Sequence, residues 1–178
     1  MSRFARILAA YGAYHRDSRN RLTHYFGVPA IVYAILIALA LRSYSILGVD
    51  VGLDVMVAAL LVLAYLLLDV RLGLAVALLL ALLIWAAEAT VRIGTSTALT
   101  VAVVVFIAGW VLQLFGHHFE GNRPALLDNL LQVFVAPIYV VTELGFALGL
   151  RGELRSQVEN IQGHMALPGK DGEERPMH

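Results

Sequence analysis

Four nearly unbroken apolar runs, residues 28–41, 55–68, 72–87 and 98–115, limit what this chain can become. A water-soluble domain of this length buries only part of its surface and cannot hide them all. Crossing a bilayer takes about 20 apolar residues in a helix, and each run reaches that length once its flanking residues are added. The composition agrees: 60% of the 178 residues are hydrophobic, only 15% are charged, and the mean hydropathy is +0.77. Thirteen basic residues balance thirteen acidic ones, so no global field recruits nucleic acid.

The connections constrain the topology. Only Asp69-Val70-Arg71 separates the second run from the third, which predicts an antiparallel helical hairpin. A fifth apolar stretch, 130–150, is interrupted by Pro137 and carries Glu143, so it is either one kinked span or two short helices that enter and leave on one side. The expected fold is an all-α, polytopic integral membrane bundle with four main spans plus this Pro-kinked or re-entrant C-terminal pair. Residues 1–150 form a single membrane-embedded catalytic domain in this reading. Within it, 1–27 is an amphipathic segment on the membrane surface, with Phe4, Ile7, Leu8 and Tyr11 at helical spacing. Residues 151–178 read as a polar, flexible tail. The N-terminal segment has no contiguous apolar core and no small-residue cleavage site, so it is not read as a signal peptide.

Basic residues orient the bundle. Arg3, Arg6, Arg16, Arg19 and Arg21 precede the first run, whereas the loops after the first and third hold only Arg42 and Arg92. The N-terminus is therefore expected in the cytoplasm, and four crossings return the chain to the same side at Gly116. That places the chain in a bacterial inner membrane with its site facing the cytoplasm, or in the endoplasmic reticulum if it is eukaryotic.

Cysteine is absent, which removes disulfides and thiolate ligands and leaves imidazole, carboxylate or backbone oxygen to hold any metal. Four of the six histidines fall into two clusters. His15 and His24 would lie on opposite faces of an unbroken helix, but a turn at 17–20 lets the chain reverse and bring them together. His117 and His118 are adjacent and can share a metal only where the backbone leaves regular helix, for which Gly116 and Gly121 give freedom. Four neutral imidazoles at one point suit ferrous iron, zinc or manganese. The plain alternative is a set of interfacial anchors. Among the carboxylates, Asp69 and Glu88 read as helix ends. Glu143 either orients a ligand imidazole or bonds locally to Thr142 or to the backbone freed by Pro137. Glu120 completes a His118-x-Glu120 fragment of the kind seen in facial-triad iron sites, a pattern frequent by chance. Arg123 is a candidate carboxylate partner, or equally a contact to lipid headgroups or a positive-inside charge.

The sequence Tyr11-Gly-Ala-Tyr14-His15, with Asn20, His24, Gly27 and Pro29, resembles the N-terminal motif of the Mpo-like family. The second half resembles it more closely: Gln113-x-x-Gly116-His117, Glu120, Pro124-Ala-Leu-Leu-Asp128-Asn-Leu130, then Ala136-Pro137 and Glu143. At His118 the chain departs from the family pattern, being one residue shorter before the glutamate. The resemblance implies an iron(II)-dependent dioxygenase that uses O2 to shorten long-chain 2-hydroxy fatty acids by one carbon. It implies His15, His24 and His117 as metal ligands; the clustering of histidines adds His118 as a fourth, and Glu120, Glu143 and Arg123 are given supporting roles, with membrane lipids around them. Two other classes compete. In a transporter or channel subunit Asp69, Glu88 and Glu143 would line an ion path, and a zinc-dependent membrane hydrolase would use the same imidazoles.

Overall fold

The structure, a computed structural model, describes residues 2–120 and 130–164. Its elements run α1 (Arg3–Gly12), α2 (Ser18–Ala40), β1 (Ser43–Ile46), β2 (Val49–Gly52), α3 (Leu53–Leu68), α4 (Val70–Ile93), α5 (Thr95–Glu120), a 3-10 turn (Leu130–Phe134), α6 (Ala136–Ala147) and α7 (Gly152–His164). Three of these helices, α2, α4 and the Thr95–Phe119 stretch of α5, are long and apolar enough to cross a membrane, with mean hydropathies of 1.8, 2.4 and 2.4. At 16 residues α3 covers about 24 Å and 12-residue α6 about 18 Å, both shorter than these three. The stretch 130–150 thus contributes one short helix after a 3-10 turn, and Pro137 sits harmlessly in its first turn rather than kinking a span.

One element departs from the all-α expectation. Between α2 and α3, Ser43–Ile46 pairs antiparallel with Val49–Gly52, in register from Ser43 opposite Gly52 to Ile46 opposite Val49. The reversal falls on Leu47 and Gly48 with φ of 51° and 81°, the double positive pair of a two-residue hairpin. Glycine takes that backbone freely and Leu47 does not, so the sequence lacks the usual Asn-Gly signature.

The chain divides into two compact units, Thr23–Gln113 and the joined segments Met1–Leu22 and Leu114–His178. In Thr23–Gln113 the helices meet through small side chains. Gly27 and Gly109 bring α2 against α5: a Cβ on Gly109 would stand 3.1 Å from the Gly27 carbonyl oxygen and 2.7 Å from Ile31 Cγ1. Asp69 alone joins α3 to α4, capping α4 by accepting from the Leu72 amide at 3.0 Å, so the expected hairpin forms with an even tighter turn. Tyr33 on α2 and Thr90 on α4 share a hydrogen bond of 2.6 Å. Buried positions run to Ala34, Ala58, Ala87, Ala98 and Ala102, while Leu60, Leu67, Leu78, Trp85, Val103 and Ile107 are exposed. Small residues among the buried positions, with many large apolar side chains left facing outward, are how helices pack when lipid is the solvent.

The other unit holds α1, the start of α2, the end of α5, α6 and α7. Ser2 caps α1, its hydroxyl accepting from the Ala5 amide at 3.1 Å. The stripe Phe4, Leu8, Tyr11 predicted to lie on the membrane surface is buried instead, and α1 packs against α7 and α6. The cause is α7. Residues 151–178 read as a flexible tail in the sequence, yet Leu154 and Val158 on α7 are buried, and Gln162 donates to the Ala9 carbonyl at 3.4 Å. Leu154 and Val158 lie four apart, a short helical stripe obscured by the polar Arg155, Ser156 and Gln157 between them.

Candidate metal centre

His15 occupies the break between α1 and α2, and local chemistry sets that break. Asp17 caps α2, accepting from the Arg19 amide at 2.8 Å. The Arg19 guanidinium and amide hold the Asp17 carboxyl down at about 2, so the cap stays ionised. Buried Asn20 donates to the Tyr14 carbonyl at 3.2 Å, pinning the connection onto α2. Arg19 also lies over the Phe119 ring, 4.4 Å from its centre, so the start of α2 is tied to the end of α5. The reversal therefore spans residues 13–17, slightly earlier than the predicted 17–20, and α2 is already helical from Ser18.

His15, His24 and His117 are all buried, and each offers one ring nitrogen so that the three atoms lie within 4.8 Å of one another. The His15 and His117 rings meet edge to face at 5.0 Å, and Tyr11 stacks flat on His15 at 4.4 Å. His15 Nδ1 lies 2.8 Å from the Tyr11 carbonyl oxygen. A carbonyl can only accept, so Nδ1 carries the proton and Nε2 keeps its lone pair, the arrangement a ligating imidazole requires. Burial drives the Tyr11 hydroxyl well above the usual phenol range, so that ring adds no charge. Three neutral donors drawn together out of water, one with its tautomer fixed by main chain, fit a divalent ion of borderline softness such as iron(II) or zinc. Three protein ligands also leave coordination positions for water or substrate.

His118 does not join the cluster. Helix α5 stays regular through Glu120 rather than breaking at Gly116, so His118 points about 100° away from His117 and is exposed. Gln113, one turn before His117, shares its buried face. The Glu120 side chain and all of Arg123 lie outside the described residues, as does Gly121.

Glu143 stands beside a cavity of about 300 Å³ whose wall includes His15, Arg16, Arg21, Tyr139, Glu143 and Glu159. Its carboxylate pairs with Arg21 at 3.7 Å. Burial raises the Glu143 pKa, opposed by Arg21, by Arg155 and by a hydrogen bond from Tyr139. The Thr142 hydroxyl donates to the Ile138 carbonyl at 2.7 Å, His15 is oriented by the Tyr11 carbonyl, and Glu143 is engaged by Arg21 and Tyr139. Sequence reasoning missed Tyr139 and Arg21. Tyr139 lies four residues before Glu143, so both share one helix face, whereas Arg21 counted only as an orienting charge. Asp69 and Glu88 are engaged locally, Asp69 as the α4 cap and Glu88 with Arg92 at 3.2 Å, which removes the support for an ion path through them.

Span-length apolar helices and a buried three-histidine cluster define the class: a helical protein suited to a membrane, with a centre that could hold a metal ion. A family model described as 2-hydroxy-palmitic acid dioxygenase Mpo1-like matches residues 1–147, and the chain belongs to that family. It is similar to the 2-hydroxy-palmitic acid dioxygenase MPO1 of Saccharomyces cerevisiae, 44% identical over 57 residues, which is 31% of this chain and 33% of the yeast protein. The match spans about a third of the length of that curated relative. No solved structure matches the chain.

Proposed function

We propose that this protein is an iron(II)-dependent dioxygenase that shortens long-chain 2-hydroxy fatty acids by one carbon. The observation that carries the proposal is the buried His15, His24 and His117 cluster with His15 on a cavity wall, in a chain of the Mpo1-like family. The reaction balances as 2-hydroxy acid plus O2 giving the shorter acid, CO2 and water: the bond between carbons 1 and 2 breaks, and carbon 2 rises from alcohol to carboxyl. Bound iron(II) would supply the one-electron steps that side chains cannot. The chain supplies the rest. His15, His24 and His117 would hold the ion, and the Tyr11 carbonyl keeps His15 facing it. Tyr11 and Tyr139 exclude water from the histidine side, their rings packed at 4.6 Å. Glu143 holds Arg21 at the cavity wall.

Iron-loaded protein purified in detergent should consume O2 with 2-hydroxypalmitate and yield pentadecanoic acid without added 2-oxoglutarate. Palmitate and 3-hydroxypalmitate lack the adjacent hydroxyl and carboxylate that chelate together, and should be slower by at least roughly 100-fold. Stoichiometric zinc with no oxygen uptake would replace the oxidative reading with a hydrolytic one.

The proposal includes a bacterial inner membrane setting with the site on the cytoplasmic side. Helix α2 at 23 residues spans about 34 Å, enough to cross a bilayer. In this cysteine-free chain, Ser2→Cys should react with an impermeant maleimide only from the cytoplasm, and Ser45→Cys only from the opposite side. Labelling of both from one face would remove α2 as a crossing.

A further inference from the structure

The cavity beside His15 has a chemistry that the histidines do not explain. Arg16 and Arg21 reach its wall from the start of α2 and the break before it, and Glu143 and Glu159 reach it from α6 and α7. Glu159 is already taken by Arg155 at 2.8 Å. Glu143 and Arg21 approach only to 3.7 Å, too long for a hydrogen bond, so the pair is electrostatic and the guanidinium fork is not locked onto that carboxylate. With Glu159 engaged by Arg155 from outside the wall, Arg16, Arg21 and Glu143 face a space with room for a small head group. Of the two arginines on the wall, Arg16 is exposed, whereas the Arg21 side chain is only 38% exposed and its charge is correspondingly less screened. Arg19 is committed elsewhere, forked onto Asp17 at 2.8 Å.

We propose that Arg21 is the carboxylate-binding residue of this cavity. It takes the acid group of an amphiphilic substrate beside His15, and Glu143 is the internal counter-ion that the incoming carboxylate competes with. The inference rests on the reading of the site as one for a 2-hydroxy acid, and it assigns to Arg21 the role the sequence suggested for Arg123. A guanidinium at this place would fix the acid end, leaving the neighbouring carbons toward the imidazoles, so that head-group identity is selected separately from chain length.

The test is equilibrium binding under argon to the iron-loaded protein, with radiolabelled 2-hydroxypalmitate and 1,2-hexadecanediol, which share the 2-hydroxyl and differ in the carboxylate. Wild type should prefer the acid by at least about 10-fold, the factor a charge-assisted pair supports. Arg21→Gln should cut that preference by about 10-fold, to what chelation of the metal alone supplies, while leaving diol affinity within about two-fold, and Arg21→Lys should fall between. Glu143→Gln should tighten acid binding several-fold where Arg21 is present and change nothing in Arg21→Gln, because the competitor matters only while the fork exists. Unchanged iron content and a monodisperse elution establish that each variant is folded. Should Arg21→Gln not fold, Arg21→Lys and Glu143→Gln decide alone, and Arg92→Gln, whose guanidinium pairs with Glu88 on α4, should match wild type throughout. Equal wild-type affinity for acid and diol, or an acid preference as large in Arg21→Gln as in wild type, overturns the assignment. An Arg21-dependent preference in protein that converts no 2-hydroxy acid in air leaves the carboxylate seat standing and removes the reaction. Turnover with an Arg21-independent preference does the opposite.

Discussion

His117→Ala is expected to strip the protein of iron, lowering metal affinity by at least about 100-fold, and His15→Ala and His24→Ala should do the same. Supporting residues around a metal are commonly worth 10- to 100-fold each, so removing one of only three ligands costs at least the upper end of that range. All three imidazoles are buried, so no water-exposed neighbour replaces a missing one without repacking. His118→Ala and His164→Ala should retain full occupancy, because both side chains are exposed and neither belongs to the cluster. Tyr11→Phe should retain it as well: the group that orients His15 is the main-chain carbonyl of residue 11, and phenylalanine keeps the stacked ring. Iron per chain, measured by mass spectrometry after anaerobic purification, reads the outcome directly. Full occupancy in His24→Ala would dissolve the centre as drawn, whatever the activity of the other variants.

The sequence was most legible where a single physical term dominates. Apolar runs located α2, α4 and α5 because a long unbroken apolar helix outweighs every other local signal, and Asp69 marked the α3–α4 joint because a cap and a chain reversal coincide there. His15, His24 and His117 were legible as residues, since imidazoles without cysteine point to few chemistries. Their company was not. His118 looked equivalent to His117 by composition, and only the unbroken course of α5 separates the two faces. The stripe on α1 read as membrane-facing because its partner α7 carries just Leu154 and Val158 amid charges, a signal too thin to outweigh the polarity of the tail. Arg21 and Glu143 lie 122 residues apart, and pairing at such separation leaves no local trace in one sequence. The β1–β2 hairpin escaped notice because Leu47 holds a turn position that favours glycine or asparagine.

The Gly27–Gly109 crossing carries the second large effect. A Cβ placed on Gly109 meets Ile31 Cγ1 at 2.7 Å, the Gly27 oxygen at 3.1 Å and the Ile31 amide nitrogen at 3.2 Å, and two of those three obstacles are backbone. A side chain could swing aside, but main chain moves only with its helix. Gly109→Ala should therefore cost about 1–3 kcal/mol by overpacking, and Gly109→Leu more, since α2 and α5 must separate. The same helices carry the centre: His24 lies three residues before Gly27 on α2, and His117 eight residues after Gly109 on α5. A displacement of a few tenths of an ångström at the crossing is thus delivered to ligands that must converge, and iron affinity should fall together with the unfolding temperature in detergent. Gly145→Ala provides the opposite sign. It sits inside α6 with nothing within 4 Å of the point where an added methyl would stand, so alanine there should stabilise by about 0.5–1 kcal/mol through helix propensity. If Gly109→Leu melted within a degree of wild type and kept its iron, α2 and α5 would not be in backbone contact, and the crossing would have no part in aligning the histidines.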